Sequence, residues 1–148
     1  MIQLKFSVDG ADTLSRRLVG VQTKLKNFTK PLARSGEIIL KDIRINFDTE
    51  GGLVGGWQPL KTATIRDRVR KGYGAGPILH RTGKYKRSFK GEVKPKKLTI
   101  DAWNVDYHKY HQSSAPRTKL PRRKTVFLRA PIRNEIHKIF QEYVRFNI

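Results

Sequence analysis

The chain has 148 residues and no cysteine, which excludes disulfides, thiolate metal sites and cysteine nucleophiles and suits one domain spanning 1–148. Lys and Arg number 32 against 12 Asp and Glu, a formal charge of +20, and the excess grows along the chain: 14 cations against 7 acids in residues 1–75, 18 against 5 in 76–148. That density of one sign attracts polyanions without reading their sequence, while a hydrophobic share of 37% allows only a thin core.

Ile2, Leu4, Phe6 and Val8 alternate in residues 2–8, predicting a half-buried strand that Asp9-Gly10 breaks. This opening has no signal-peptide core, and no apolar run nears the roughly 20 residues that cross a bilayer. The expectation is therefore a soluble protein without membrane contact. Capped by Asp9 or Asp12, a helix is predicted from Ala11 to Phe28, its stripe formed by Leu14, Leu18, Val21, Leu25 and Phe28. A second helix is predicted from Pro31 to Phe47, behind Thr29, with Leu32, Ile39, Ile43 and Phe47 on one face and Ile38 widening it.

Four glycines in Asp48–Gly56 predict a loop, and Thr62–Lys71 a short helix exposing Lys61, Arg66, Arg68, Arg70 and Lys71. A second glycine segment spans Gly72–Pro77, and Thr82–Phe89 predicts another helical turn. Glu92–Val93 and Leu98–Trp103 flank Lys94-Pro95-Lys96-Lys97 as a β-hairpin with a basic turn. Tyr107–Gln112 reads as one helical turn, Ala115–Lys124 as a basic loop, and Val126–Leu128 as a short strand. Pro131 opens a last helix with Ile132, Ile136, Ile139, Phe140 and Tyr143 inward. The sum is an α+β domain, helices packed on one antiparallel sheet with long glycine-rich and basic loops.

Catalytic patterns are thin. Asp48 and Glu50 beside Gly51-Gly52 read as a metal pair or as a solvated turn, and His108 and His111, three apart, as ligands or as structural histidines. HExxH is absent, and neither glycine loop carries the Lys-Ser/Thr of a phosphate-binding loop. No enzyme, metal or cofactor is expected. For binding, Arg117, Lys119, Arg122, Arg123 and Lys124 crowd eight residues around Pro116 and Pro121, facing a polyanion or serving as solvated charge. Tyr107, Tyr110 and His111 interleave with Lys109, as in base-stacking surfaces or in ordinary packing. Trp57 in a polar loop has to dock, either on its own domain or in a neighbouring subunit.

The order Gly55-Gly56-Trp57-Gln58-Pro59-Leu60, Thr62 with a basic helix, Ile78-Leu79, Thr82-Gly83, Ser88-Phe89, Tyr107-x-x-Tyr110-His111-Gln112, Pro121-Arg122-Arg123 and Phe127-Leu128 resembles the tailed-bacteriophage virion morphogenesis family, the Mu-like tail completion and neck proteins. The resemblance spans Phe47 to Leu128. It implies a non-enzymatic structural protein, made in the host cytoplasm and placed at the head–tail junction of the virion. Copies would form a ring of six-fold symmetry, contact other connector or tail proteins, and surround DNA non-specifically. On this reading Trp57, Pro59, Leu60, Tyr107 and Tyr110 are subunit-interface candidates. Arg117, Lys119, Arg122, Arg123 and Lys124 face DNA, and the glycine loops order against ring neighbours. The rival readings are a stand-alone, sequence-independent nucleic-acid-binding protein and a small nuclease.

Overall fold

The computed structural model describes residues 16, 19–23, 25–115 and 119–147. The expected strand at 2–8, the start of the first helix with Leu14 and Leu18, and Arg117 lie outside them. In chain order follow α1 (Thr29–Asp48), a 3₁₀ turn (Gly52–Val54), α2 (Thr62–Arg70), α3 (Lys84–Ser88), β1 (Phe89–Lys94), β2 (Lys97–Ala102), α4 (His108–Gln112) and α5 (Ala130–Asn147). The architecture is α+β, and its sheet among the described residues is the antiparallel hairpin β1–β2.

α1 is the spine, contacting both strands of the hairpin and α5. Its apolar repeat buries Ile43 and Phe47 and half-buries Leu32, Ile38 and Ile39. Phe47, fully enclosed, is the hub: Trp57 and Tyr85 meet it edge-on at 5.2 and 5.3 Å between ring centroids, and Phe89 lies at 5.7 Å. Edge-to-face aromatic pairs add attraction beyond the area they bury. Gly36 lets the hairpin close in, since a Cβ there would lie 3.2 Å from Leu98 Cδ1. Toward α5, Asp42 holds Arg129 through two hydrogen bonds of 2.8 and 2.9 Å, and Ile132 and Ile139 are buried. That paired carboxylate raises the pKa of Arg129.

The hairpin has the expected basic turn, with register Phe89↔Ala102 through Lys94↔Lys97. Its first strand starts earlier than the sequence reading placed it, because Phe89 is strand rather than helix and its ring is needed on Phe47. The first helix also differs. Residues 19–23 are helical, but Phe28 is not: its N–H donates to Pro95 O at 2.7 Å and its ring packs against Phe140 and Tyr143. Asn27 Oδ1 accepts from Thr29 N, starting α1 instead. Val126–Leu128, expected as a strand, is irregular. The reason lies in Gln112, described below.

The first glycine loop is closed by its own chain. α1 ends in a Schellman motif, with Gly51 N donating to Asn46 O and Glu50 N to Phe47 O. Val54 N and Gly56 N then both return to Gly51 O at 2.8 Å. Gly51 has φ +88°, and a Cβ on it would stand 2.4 Å from Trp57 Cδ1, so the indole rests where only glycine leaves room. These bonds all form within one chain.

Candidate functional site

The motif residues meet around one extended segment, residues 121–126. Trp57 Nε1 and Asn46 Nδ2 both donate to Lys124 O, at 3.0 and 3.2 Å. Arg123 donates from Nε and Nη2 to Gln58 O at 3.2 and 2.9 Å, and from Nη2 to Pro59 O at 3.4 Å. Arg123 N in turn donates to His111 O. The carboxamide of Gln112 completes the clasp: its oxygen accepts from Thr125 N and Val126 N at 3.1 and 3.0 Å, and its nitrogen donates to Val126 O. One glutamine thus does for this segment what a neighbouring strand would do, which is why no strand forms. Buried backbone groups must be paired somewhere, and here a side chain pairs them.

Beneath the segment runs a polar relay. Thr125, fully buried, lies 3.0 Å from the Tyr85 hydroxyl, which lies 2.7 Å from His108 Nδ1; His108 Nε2 is 3.5 Å from Asp101. Neutral His108 with its proton on Nε2 fits: Thr125 donates to Tyr85, Tyr85 donates to Nδ1, and Nε2–H faces the carboxylate. Burial pushes the Tyr85 phenol well above its ordinary range, keeping it a donor. Burial likewise lowers the pKa of His108, against the opposing pull of Asp101.

The five interface candidates fall into different places. Trp57 is 7% exposed, its ring in this chain's own core on Phe47 and Gly51 rather than displayed. Leu60 is half-buried against that core, and Pro59 is exposed. Tyr107 is 43% exposed and meets Tyr85 and His111 edge-on, while Tyr110, equally exposed, has Lys109 Nζ 5.2 Å from its ring centroid. Of the DNA-facing candidates, Lys119, Arg122 and Lys124 are exposed. Arg123 is corrected: at 5% exposure it points inward, because the carbonyls of Gln58 and Pro59 have no ladder partner and its forked donors supply one.

A second cation is corrected in the same way. Arg68, expected on the open face of α2, is 4% exposed and donates from Nη1 to Pro77 O at 3.0 Å, holding the second glycine segment against the helix. Arg70 and Lys71 clamp Asp67 at 2.8 and 3.0 Å, which lowers the pKa of that carboxyl. Lys61 and Arg66 stay exposed.

The acidic pair is divided. Asp48 bonds Lys86, and Glu50, in a left-handed conformation with φ 49°, accepts from Ile78 N, tying the two glycine segments together. Among the described residues no group of three or more His, Asp or Glu side chains is placed to hold a metal ion, and no helix is long and apolar enough to cross a membrane. Sequence reasoning named Gln112, Glu50, Arg68 and Arg123 but missed that each serves a backbone segment of this chain. The prolines at 59 and 77 were the one available signal, since chain beside a proline cannot complete a ladder and leaves carbonyls in need of donors. Comparison of the chain with protein-family models, curated proteins and solved structures gave no match.

Proposed function

We propose that this chain is a structural, non-enzymatic component of the head–tail junction of a tailed phage or phage-derived particle, assembled as a ring around the DNA channel. The observation that carries the reading is the clasp. Trp57, Gln58, Pro59, His111, Gln112 and Arg123, drawn from the separate motifs that bear the resemblance, interlock around residues 121–126. Their chemistry is devoted to holding one backbone segment, and that segment presents Arg122 and Lys124 outward. A rigid wall carrying cations attracts a passing duplex through its phosphates without reading bases.

Exposed apolar side chains supply surface for neighbours. Phe146 is 82% exposed beside a groove walled by Pro31, Ile139 and Tyr143, and Val69, Trp103 and Leu128 are about half exposed. A thin core with leftover apolar area suits a subunit completed by contact with its neighbours. Six-fold symmetry is the stoichiometry proposed, with other connector or tail proteins above and below.

The test is mass photometry and negative-stain electron microscopy of the purified chain, and location of the chain in intact particles. Closed rings support the reading; a chain that stays solitary within particles, or is missing from them, refutes it. A stand-alone nucleic-acid-binding role draws on the same exposed Lys119, Arg122 and Lys124. Submicromolar, salt-dependent binding of random duplex by a strictly monomeric chain would favour it.

A further inference from the structure

Tyr73, Leu79, Arg81, Thr82, Tyr85 and Tyr107 wall a cleft of about 420 Å³, within the usual size range of small-ligand sites. Of its lining residues only Tyr107 belongs to the interface candidates of the ring reading. Tyr73 and Tyr107 leave 40% and 43% of their surfaces in water, and the Arg81 guanidinium carbon sits 4.5 Å from the Tyr73 ring centroid. Among the described residues Arg81 has no ion-pair partner. Arg87 brings a second guanidinium next to the cleft wall, donating to O of the lining residue Thr82 at 3.0 Å while lying over Gly83. Among the described residues no carboxylate lines the cleft. Leu79 holds φ 59°, a left-handed conformation that non-glycine residues adopt rarely and that concentrates at ligand sites.

We propose that this cleft is a subsite for one unpaired nucleotide, its base stacking on the Tyr73–Arg81 pair and Tyr107 and its phosphate meeting Arg81 and Arg87. Charge selects the occupant. A second copy of a chain with +20 net charge brings like charge to two guanidiniums, whereas a nucleotide brings a π-face and an anion together. Strand state follows from geometry, because bases inside a duplex have both faces covered by their neighbours. The inference is independent of ring formation.

The test is fluorescence anisotropy with three labelled probes of equal length: oligothymidylate, an abasic oligomer with the same phosphates, and a duplex. The full chain should bind oligothymidylate at least about 10-fold more tightly than the abasic strand. Tyr73→Ala should weaken oligothymidylate binding by about 5- to 100-fold and leave the other two probes unchanged. Tyr73 sits on an exposed segment, and an unchanged thermal midpoint will show that the variant folds. Tyr107→Phe, which keeps the ring, should keep the preference, and Tyr107→Ala should lose it. Equal affinity for the thymidylate and abasic strands overturns the proposal and leaves the cleft to a protein side chain. So does an equal loss on all probes. A chain that shows the base preference yet never forms rings refutes only the structural reading above.

Discussion

Trp57 separates a core from an interface, and the structure assigns its removal a size. The indole contacts Phe47 edge-on, covers Gly51 and donates to Lys124 O. Trp57→Ala deletes all three, and burial losses of this kind cost about 3–5 kcal/mol. Trp57→Phe keeps a ring on Phe47 and loses the hydrogen bond, worth about 1 kcal/mol, plus part of the indole volume, for about 2 kcal/mol in all. Lys124 O retains Asn46 Nδ2, which limits the smaller loss. For a chain of this length about 1 kcal/mol moves the thermal midpoint by roughly 2–4 °C, so the alanine variant should melt about 10 °C lower and the phenylalanine variant about 5 °C lower. Urea unfolding followed by circular dichroism measures both. In a Trp103→Phe background the emission reports Trp57 alone, blue-shifted while folded. An alanine variant that loses under about 1 kcal/mol with an unchanged denaturant slope, yet fails to assemble, refutes the core assignment and returns the indole to a subunit contact.

Three further outcomes are expected. Gln112→Leu strands Thr125 N and Val126 N without partners and should cost about 3 kcal/mol, with amide exchange accelerating first at Val126; unchanged protection there would break the clasp argument. Because burial holds the folded His108 below its ordinary value near 6.5, its contribution to stability is complete above about pH 6.5 and is lost as pH falls through the folded value. His108→Gln should flatten that part of the midpoint-versus-pH curve, and an unaltered slope would count against the relay. Exchanging two neighbours, Arg123→Lys with Lys124→Arg, conserves charge but removes the forked donor from Gln58 O, and should cost about 2 kcal/mol and weaken duplex binding with the salt slope intact. Arg122→Ala should do the reverse, lowering the salt slope by about 1 with stability intact.

What was legible from sequence was what periodicity writes. α1, α2, α5 and the hairpin follow from apolar spacing and from the turn at Pro95-Lys96, and their ends fall within a few residues of expectation. Tertiary needs set the differences: Phe28 left its helix to serve the hairpin turn, and Phe89 joined a strand to reach Phe47. Of the site residues, the exposed Lys119, Arg122, Lys124, Tyr107 and Tyr110 sit at the surface, as their types suggest. Arg68 and Arg123 do not, because hydropathy scores a guanidinium as outward while an unpaired carbonyl near a proline draws it in. The Tyr73–Arg81 cleft was invisible for another reason. Tyr73, Arg81 and Tyr107 lie on separate segments of the chain, and only the fold brings them to one wall.

The inward arginine also orders the residues beside it. In an extended segment successive side chains alternate faces, and burial alternates here without exception: Arg122 out, Arg123 in, Lys124 out, Thr125 in. Anchoring Arg123 to Gln58 and Thr125 to Gln112 therefore fixes Arg122 and Lys124 on one face, about 6.5–7 Å apart along the chain. A loop of equal charge without those anchors would pay side-chain and backbone entropy each time it met a phosphate backbone. The buried cation thus contributes to polyanion binding through geometry, by pre-arranging two exposed ones, and a tally of charge alone would assign it the wrong role.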